Sequence, residues 1–170
     1  MGSRKPLFAR MGLAVVILVL GVLTALTPPP GSAGPMSNYL EAEIIKYWFQ
    51  NTAGASKPAT LYVGLSTAAC SDTGFGTEVT GGSYARVSVT ANSSNFPGPT
   101  ANDGTVTNGA AVTFPAPSAN WGVVTHWFIA DASSAGNLLW CAALTVSKTV
   151  NNGDAAPSFG IGALSVQVDN

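Results

Sequence analysis

Charge is scarce in this chain. Only 7 of its 170 residues are Lys or Arg and 8 are Asp or Glu, 9% in all, against roughly a quarter in an average soluble domain. So few charges exclude a coiled coil, a charge-driven disordered tail and a basic nucleic-acid binder. Two cysteines do not make a disulfide scaffold, and one histidine without a Cys/His cluster leaves nothing for a zinc site. No repeat of fixed period is visible, which excludes solenoids and propellers. What is abundant is apolar: 46% hydrophobic residues, with 19 Gly and 11 Pro as punctuation. The length suffices for one domain with a real core.

The charges are unevenly placed. Arg4, Lys5 and Arg10 precede an uninterrupted apolar run, MGLAVVILVLGVLTAL at 11–26, and TPPPGSAGP follows it. Residues 1–35 therefore stand apart from the rest. A basic start, an apolar stretch and small residues fit a secretory signal, although the prolines make a poor cleavage site. A retained anchor and a non-native or mis-started extension before Met36 are the other two readings. From Met36 onward four basic residues face eight acids, a net of −4. A mildly acidic, weakly charged body is not steered toward polyanions or anionic lipid.

Residues 36–170 read as one domain. SNYLEAEIIKYWFQ at 37–50 predicts a helix, with Ser37 as N-cap, Glu41 and Glu43 in its first half, and Leu40, Ile44, Tyr47 and Trp48 at helical spacing. Beyond it the pattern changes to short apolar runs between Gly, Pro, Asn and Ser clusters. These predict strands near 60–66, 83–91, 105–107, 110–114, 122–130, 137–146 and 159–168. The runs at 122–130 and 137–146 are apolar on both faces, as central strands would be. The expected fold is mainly β: an antiparallel β-sandwich, jelly-roll-like or Ig-like, preceded by one N-terminal α-helix.

Catalytic chemistry is not apparent. His126, in VVTHWF, would need a nucleophile and an orienting carboxylate to act as a base, and the bland reading is a strand histidine at a sheet surface. The glycines of TGFGTEVTGGSYAR lack the spacing and the lysine of a phosphate loop. Cys70 and Cys141 would pair in an exported protein; buried free thiols are the reading we favour. Trp121, Trp127 and Trp140 are mostly core material, although outward-facing aromatics also serve subunit interfaces. The helix itself carries Tyr39, Tyr47, Trp48 and Phe49, more aromatics than one buried face needs. Tyr39, Ile44, Tyr47, Trp48, Phe49 and Trp127 are therefore the candidate partner-contact residues; there are no candidate catalytic, cofactor or metal residues.

In order along the chain, NYLEAEIIKYWFQNTA, TLYVGLSTA, GTEVTGGSYAR, VTFPAPSANWGVVTHWFIADA, GNLLWCAALTVSKTVNNGD and GALSV resemble a family of small tailed-phage virion proteins, often labelled tail fibre or structural protein. The resemblance covers nearly all of 36–170. It implies a helix followed by an antiparallel sandwich, no catalytic residues, no cofactor, and a place in a phage particle assembled in the host cytoplasm. Residues 1–35 depart from it.

The expectation is a non-enzymatic virion structural protein. Its partners would be itself, as a trimer or a lattice of neighbours, and other virion proteins such as the major capsid protein. No nucleic acid is expected, and a membrane only if residues 1–35 are native and retained. A domain of about 135 residues has a radius of gyration of only ~14 Å, too short to reach a host alone. That favours a capsid decoration or cement protein on the particle exterior, with a short tail-fibre or tail-tip subunit as the alternative. A second alternative is an exported or membrane-anchored bacterial β-sandwich that binds carbohydrate or another ligand on exposed tryptophans.

Overall fold

A computed structural model describes residues 36–50, 57–98 and 104–168. The apolar leader lies outside the described residues. The helix forms as expected. α1 (Asn38–Phe49) starts at Ser37, whose hydroxyl accepts from the Leu40 amide at 3.3 Å, and carries Glu41 in its first turn and Lys46 in its last. Both charges complement the helix dipole. The Ser37 hydroxyl also donates to the Leu138 carbonyl, and the Ser37 amide donates to that of Leu139 at 3.0 Å. A capping residue thus ties the helix to the sheet.

Among the described residues eight strands follow: β1 (Thr60–Ser66), β2 (Val87–Thr90), β3 (Thr105–Thr107), β4 (Val112–Thr113), β5 (Gly122–Ala130), β6 (Leu138–Val150), β7 (Ser158–Phe159) and β8 (Ser165–Gln167). Four make the main sheet in the order β2-β1-β5-β6, and the others form two ladders, β3-β8 and β4-β7, every pairing antiparallel. Among the described residues the protein is mainly β, with one helix before the strands.

The pairing register sorts the core. Val63 faces Ile129, which faces Trp140, while Leu65 faces Trp127, which faces Ala142. These residues share one face of the main sheet, and Val112, Phe114, Leu164, Phe159 and Val166 from the two small ladders and their flanks join the same cluster. A second layer over one sheet face is a sandwich-like arrangement. On the opposite face Phe128, Ala130 and Leu138 form a smaller cluster with Phe75 and the two cysteines. Gly64 is required there: a Cβ at this position would lie 2.1 Å from the Phe128 ring.

Three expectations need correction. The pattern at 137–146 predicts a central strand, but β6 is an edge strand, and it continues to Val150. Between the pairs Val124↔Lys148 and His126↔Ala143, β5 advances by one intervening residue and β6 by four, 144–147. The resulting bulge turns Val146 outward, 78% exposed; bulges and a charged residue such as Lys148 are common at edges that must not pair further.

The single strand expected at 159–168 is two. The turn that divides it holds Gly160 and Gly162, the latter at φ 76°, and is gripped by buried Asn108. The Asn108 amide donates to the Gly160 carbonyl, and its oxygen accepts from the Leu164 amide, both at 2.8 Å.

The cysteines are not free thiols. Cys70, in the loop after β1, is bonded to Cys141 of β6. The register places Cys141 opposite Phe128, on the face away from the main core.

Candidate interaction surface around the N-terminal helix

No residue of α1 is buried. Tyr39, Leu40 and Met36 reach the main core as partly buried neighbours. The rest of the apolar side chains stay out: Ile45 is 47% exposed, Tyr47 69%, Trp48 73% and Phe49 79%. Ile45 and Phe49 are four residues apart and so lie on one helical face. Tyr47 and Trp48 meet edge to face, with ring centroids 5.5 Å apart. The helix therefore presents its C-terminal turn as an aromatic knob, with nothing of this chain over it among the described residues.

Beside the knob runs a groove of about 580 Å³ between the helix and the main sheet. Tyr39, Leu40, Ile44, Tyr47 and Trp48 form its helix wall, and Leu61, Ile129 and Trp140 its floor. Glu43, Lys57 and Asp131 supply charge at this groove. Partial burial, followed by the nearby carboxylates of Glu43 and Asp131, raises the Tyr39 phenol above its ordinary pKa, so it remains a neutral hydrogen-bonding group. Asp131 is held in place: its carboxylate accepts from the Asn137 amide and side chain, each at 2.7 Å.

Trp140 is distinctive in this floor. It is 2% exposed, and its indole N–H is, among the described residues, the buried side-chain polar group without a hydrogen-bond partner. Leaving a buried donor unmet costs about 1–3 kcal/mol. Sequence reasoning assigned Trp140 to the core without seeing this, because a partner's absence is set by tertiary placement.

The candidate contact residues do not fall in one place. Tyr39, Ile44, Tyr47 and Trp48 gather at the groove, with Phe49 on the adjacent helix end. Trp127 is elsewhere: it is 5% exposed, inside the core, with its ring centroid 6.3 Å from that of Phe159. Trp121 is equally enclosed, its indole donating to the Gly82 carbonyl at 2.9 Å. The exposed tryptophan platform expected of a carbohydrate-binding sandwich at Trp121, Trp127 or Trp140 is therefore not formed; the exposed indole is Trp48.

His126 is half-buried on β5, and its Nδ1 lies 2.8 Å from the hydroxyl of the adjacent Thr125. Among the described residues no group of three or more His, Cys, Asp or Glu could hold a metal ion, and no helix is long and apolar enough to cross a membrane.

A further feature escaped the sequence reading. Arg86, 8% exposed, stacks over Phe75 at 4.5 Å and Phe128 at 5.0 Å. It pairs with both oxygens of Glu78 at 2.7 Å and donates to the Ala132 and Ala135 carbonyls. The segment GTEVTGGSYAR thus supplies both partners of this ion pair, with Glu78 near its start and Arg86 at its end.

The stretch from α1 to β8 is also what a family comparison recognises. A model described as podophage GP4 fiber I protein gp80 matches residues 35–167. The chain belongs to this phage fibre family. No curated protein sequence matches it. Membership of the gp80 fibre family implies a component of the virion that meets other virion proteins. The helix knob, the groove and the Glu78–Arg86 ion pair all lie within the matched span.

Proposed function

We propose that the chain is a non-enzymatic structural subunit of a podophage fibre, and that α1 with its groove is the surface through which it joins its neighbours. The observation that carries this reading is a 12-residue helix that buries none of its residues yet exposes Ile45, Tyr47, Trp48 and Phe49. Soluble proteins seldom leave such a contiguous aromatic patch open unless something covers it. Covering Trp48 and Phe49 contributes on the order of 3–5 kcal/mol per subunit before the entropic cost of association. Repeated over many copies, modest contacts of that size hold a particle appendage together. The neighbours are further copies of the chain, as a trimer or a longer array, and adjoining virion proteins. The domain at 36–170 carries this role, with residues 1–35 as a separate leader.

The small domain that suggested a capsid decoration serves equally as one module of a fibre, and the family's description favours the fibre. Antibody labelling of intact particles distinguishes the two, by gold at the tail or over the head. The attachment surface is tested by Trp48→Ala with Phe49→Ala. The double variant keeps its β-sheet signal, because neither side chain is part of the core, and is lost from particles. Wild-type occupancy of the double variant would place the attachment surface elsewhere.

A further inference from the structure

Cys70 and Cys141 are 71 residues apart in sequence, and their Cα atoms are 6.3 Å apart in the fold. Contacts other than the bond also hold each position. The loop that carries Cys70 is fixed on both sides by other contacts. Thr67 donates its amide to the Thr77 carbonyl at 2.9 Å, and Val79 to that of Leu65 at 3.0 Å. The Ser66 hydroxyl lies 2.8 Å from the Ala68 carbonyl and 2.9 Å from that of Thr77. Phe75 packs on Phe128 with centroids 4.8 Å apart, and Asn38 donates to the Asp72 carbonyl. Cys141 is held by the β5–β6 ladder opposite Phe128. A chain folded with two thiols would hold the sulfurs ready to join.

They are also reachable. Both cysteines are half-buried and line a cleft of about 300 Å³ with Ser71, Asp72, His126 and Ala143. A small oxidant has a path to them that needs no unfolding. Disulfides are rare where glutathione and thioredoxin keep thiols reduced, and they persist outside the cell. A phage protein meets both conditions in turn, inside the host and after release.

We propose that the subunit assembles with Cys70 and Cys141 as thiols, and that the disulfide closes only when the particle enters an oxidising medium. This inference rests on the virion reading given above. The oxidant is a low-molecular-weight disulfide. One cysteine loses its proton to water and its thiolate attacks the small disulfide, forming a mixed disulfide and expelling one small thiolate. The second cysteine, also deprotonated, displaces the other small thiolate and forms the Cys70–Cys141 bond. Two electrons pass from the cysteine pair to the small disulfide, and the two released protons give two small thiols. The loop after β1 is then covalently fastened to edge strand β6.

The test traps thiols with N-ethylmaleimide in infected cells before lysis, and in particles collected after release, and reads both peptides by mass spectrometry. Expected are both cysteines alkylated in intracellular particles and neither in released ones, where the two peptides are joined. A complete disulfide inside unlysed cells, or alkylated cysteines in released particles, would overturn the proposal. A second arm uses Cys70→Ser with Cys141→Ser. That variant is expected to enter intracellular particles at wild-type occupancy and to lose infectivity faster on heating after release; failure to assemble inside cells would show that the bond is needed earlier, and so contradict it. Absence of the wild-type chain from both particle pools would instead refute the virion reading, whatever the cysteine state.

Discussion

At the scale of single residues, most of the fold's specificity sits in a few positions where a neighbour leaves no choice. Gly64 faces Phe128 so closely that any side chain must displace a fully buried ring. Gly64→Ala is expected to destabilise the fold by about 1–3 kcal/mol or more, read as a shift of the urea midpoint, with Gly82→Ser as an unsuitable control because Gly82 is itself crowded at positive φ. Asn108 is 1% exposed and bonds three main-chain groups, at Ala110, Gly160 and Leu164. Replacing it by Ala strands those groups, at about 1–3 kcal/mol for an unmet buried partner, and by Asp removes the two donations. Tyr84 makes a prediction about pH. Burial, above all, raises its phenol pKa from 10.0, so the folded state holds the proton more tightly than the unfolded state does. The corresponding stability is fully present below about pH 10 and is lost as the pH rises above it. Denaturant midpoints measured at increasing alkaline pH should fall in the wild type, and fall less steeply in Tyr84→Phe.

At the scale of elements, the sequence was informative wherever local pattern decides and silent where distant pairing decides. β1, β3 and β5 lie at 60–66, 105–107 and 122–130 as their apolar runs suggest, and Ser37 caps the helix as its position implies. The run at 137–146 misled, because apolar residues on both faces describe burial by layers above and below and say nothing about a neighbour at the strand's edge. The turn within 159–168 depends on Asn108, some fifty residues earlier, which no local window contains. Local pattern does not decide between paired and free cysteines for the same reason: only the docking of the loop after β1 on β6 brings them together. Their bond should add up to about 4 kcal/mol through the loop of 71 residues it closes. Thermal melts of the purified chain with and without a thiol reductant should therefore differ by several degrees, with the reduced chain still folding. In the candidate surface, the excess of aromatics on α1 was visible in sequence, whereas the burial of Trp127 and the unpartnered indole of Trp140 were not.

At the scale of the whole molecule, low charge and an uncovered aromatic helix fit a subunit that rests against others. With 9% charged residues, repulsion between closely packed copies is small. Light scattering on the purified full chain is expected to show an oligomer that Trp48→Ala with Phe49→Ala converts to smaller species without loss of β structure. The central claim is that α1 is an interface. The most direct measurement is a map of the intact particle at side-chain resolution. The account predicts density from a neighbouring subunit packed over Ile45, Trp48 and Phe49. A helix that points into solvent in every copy, with the contacts made by other strands, would contradict it.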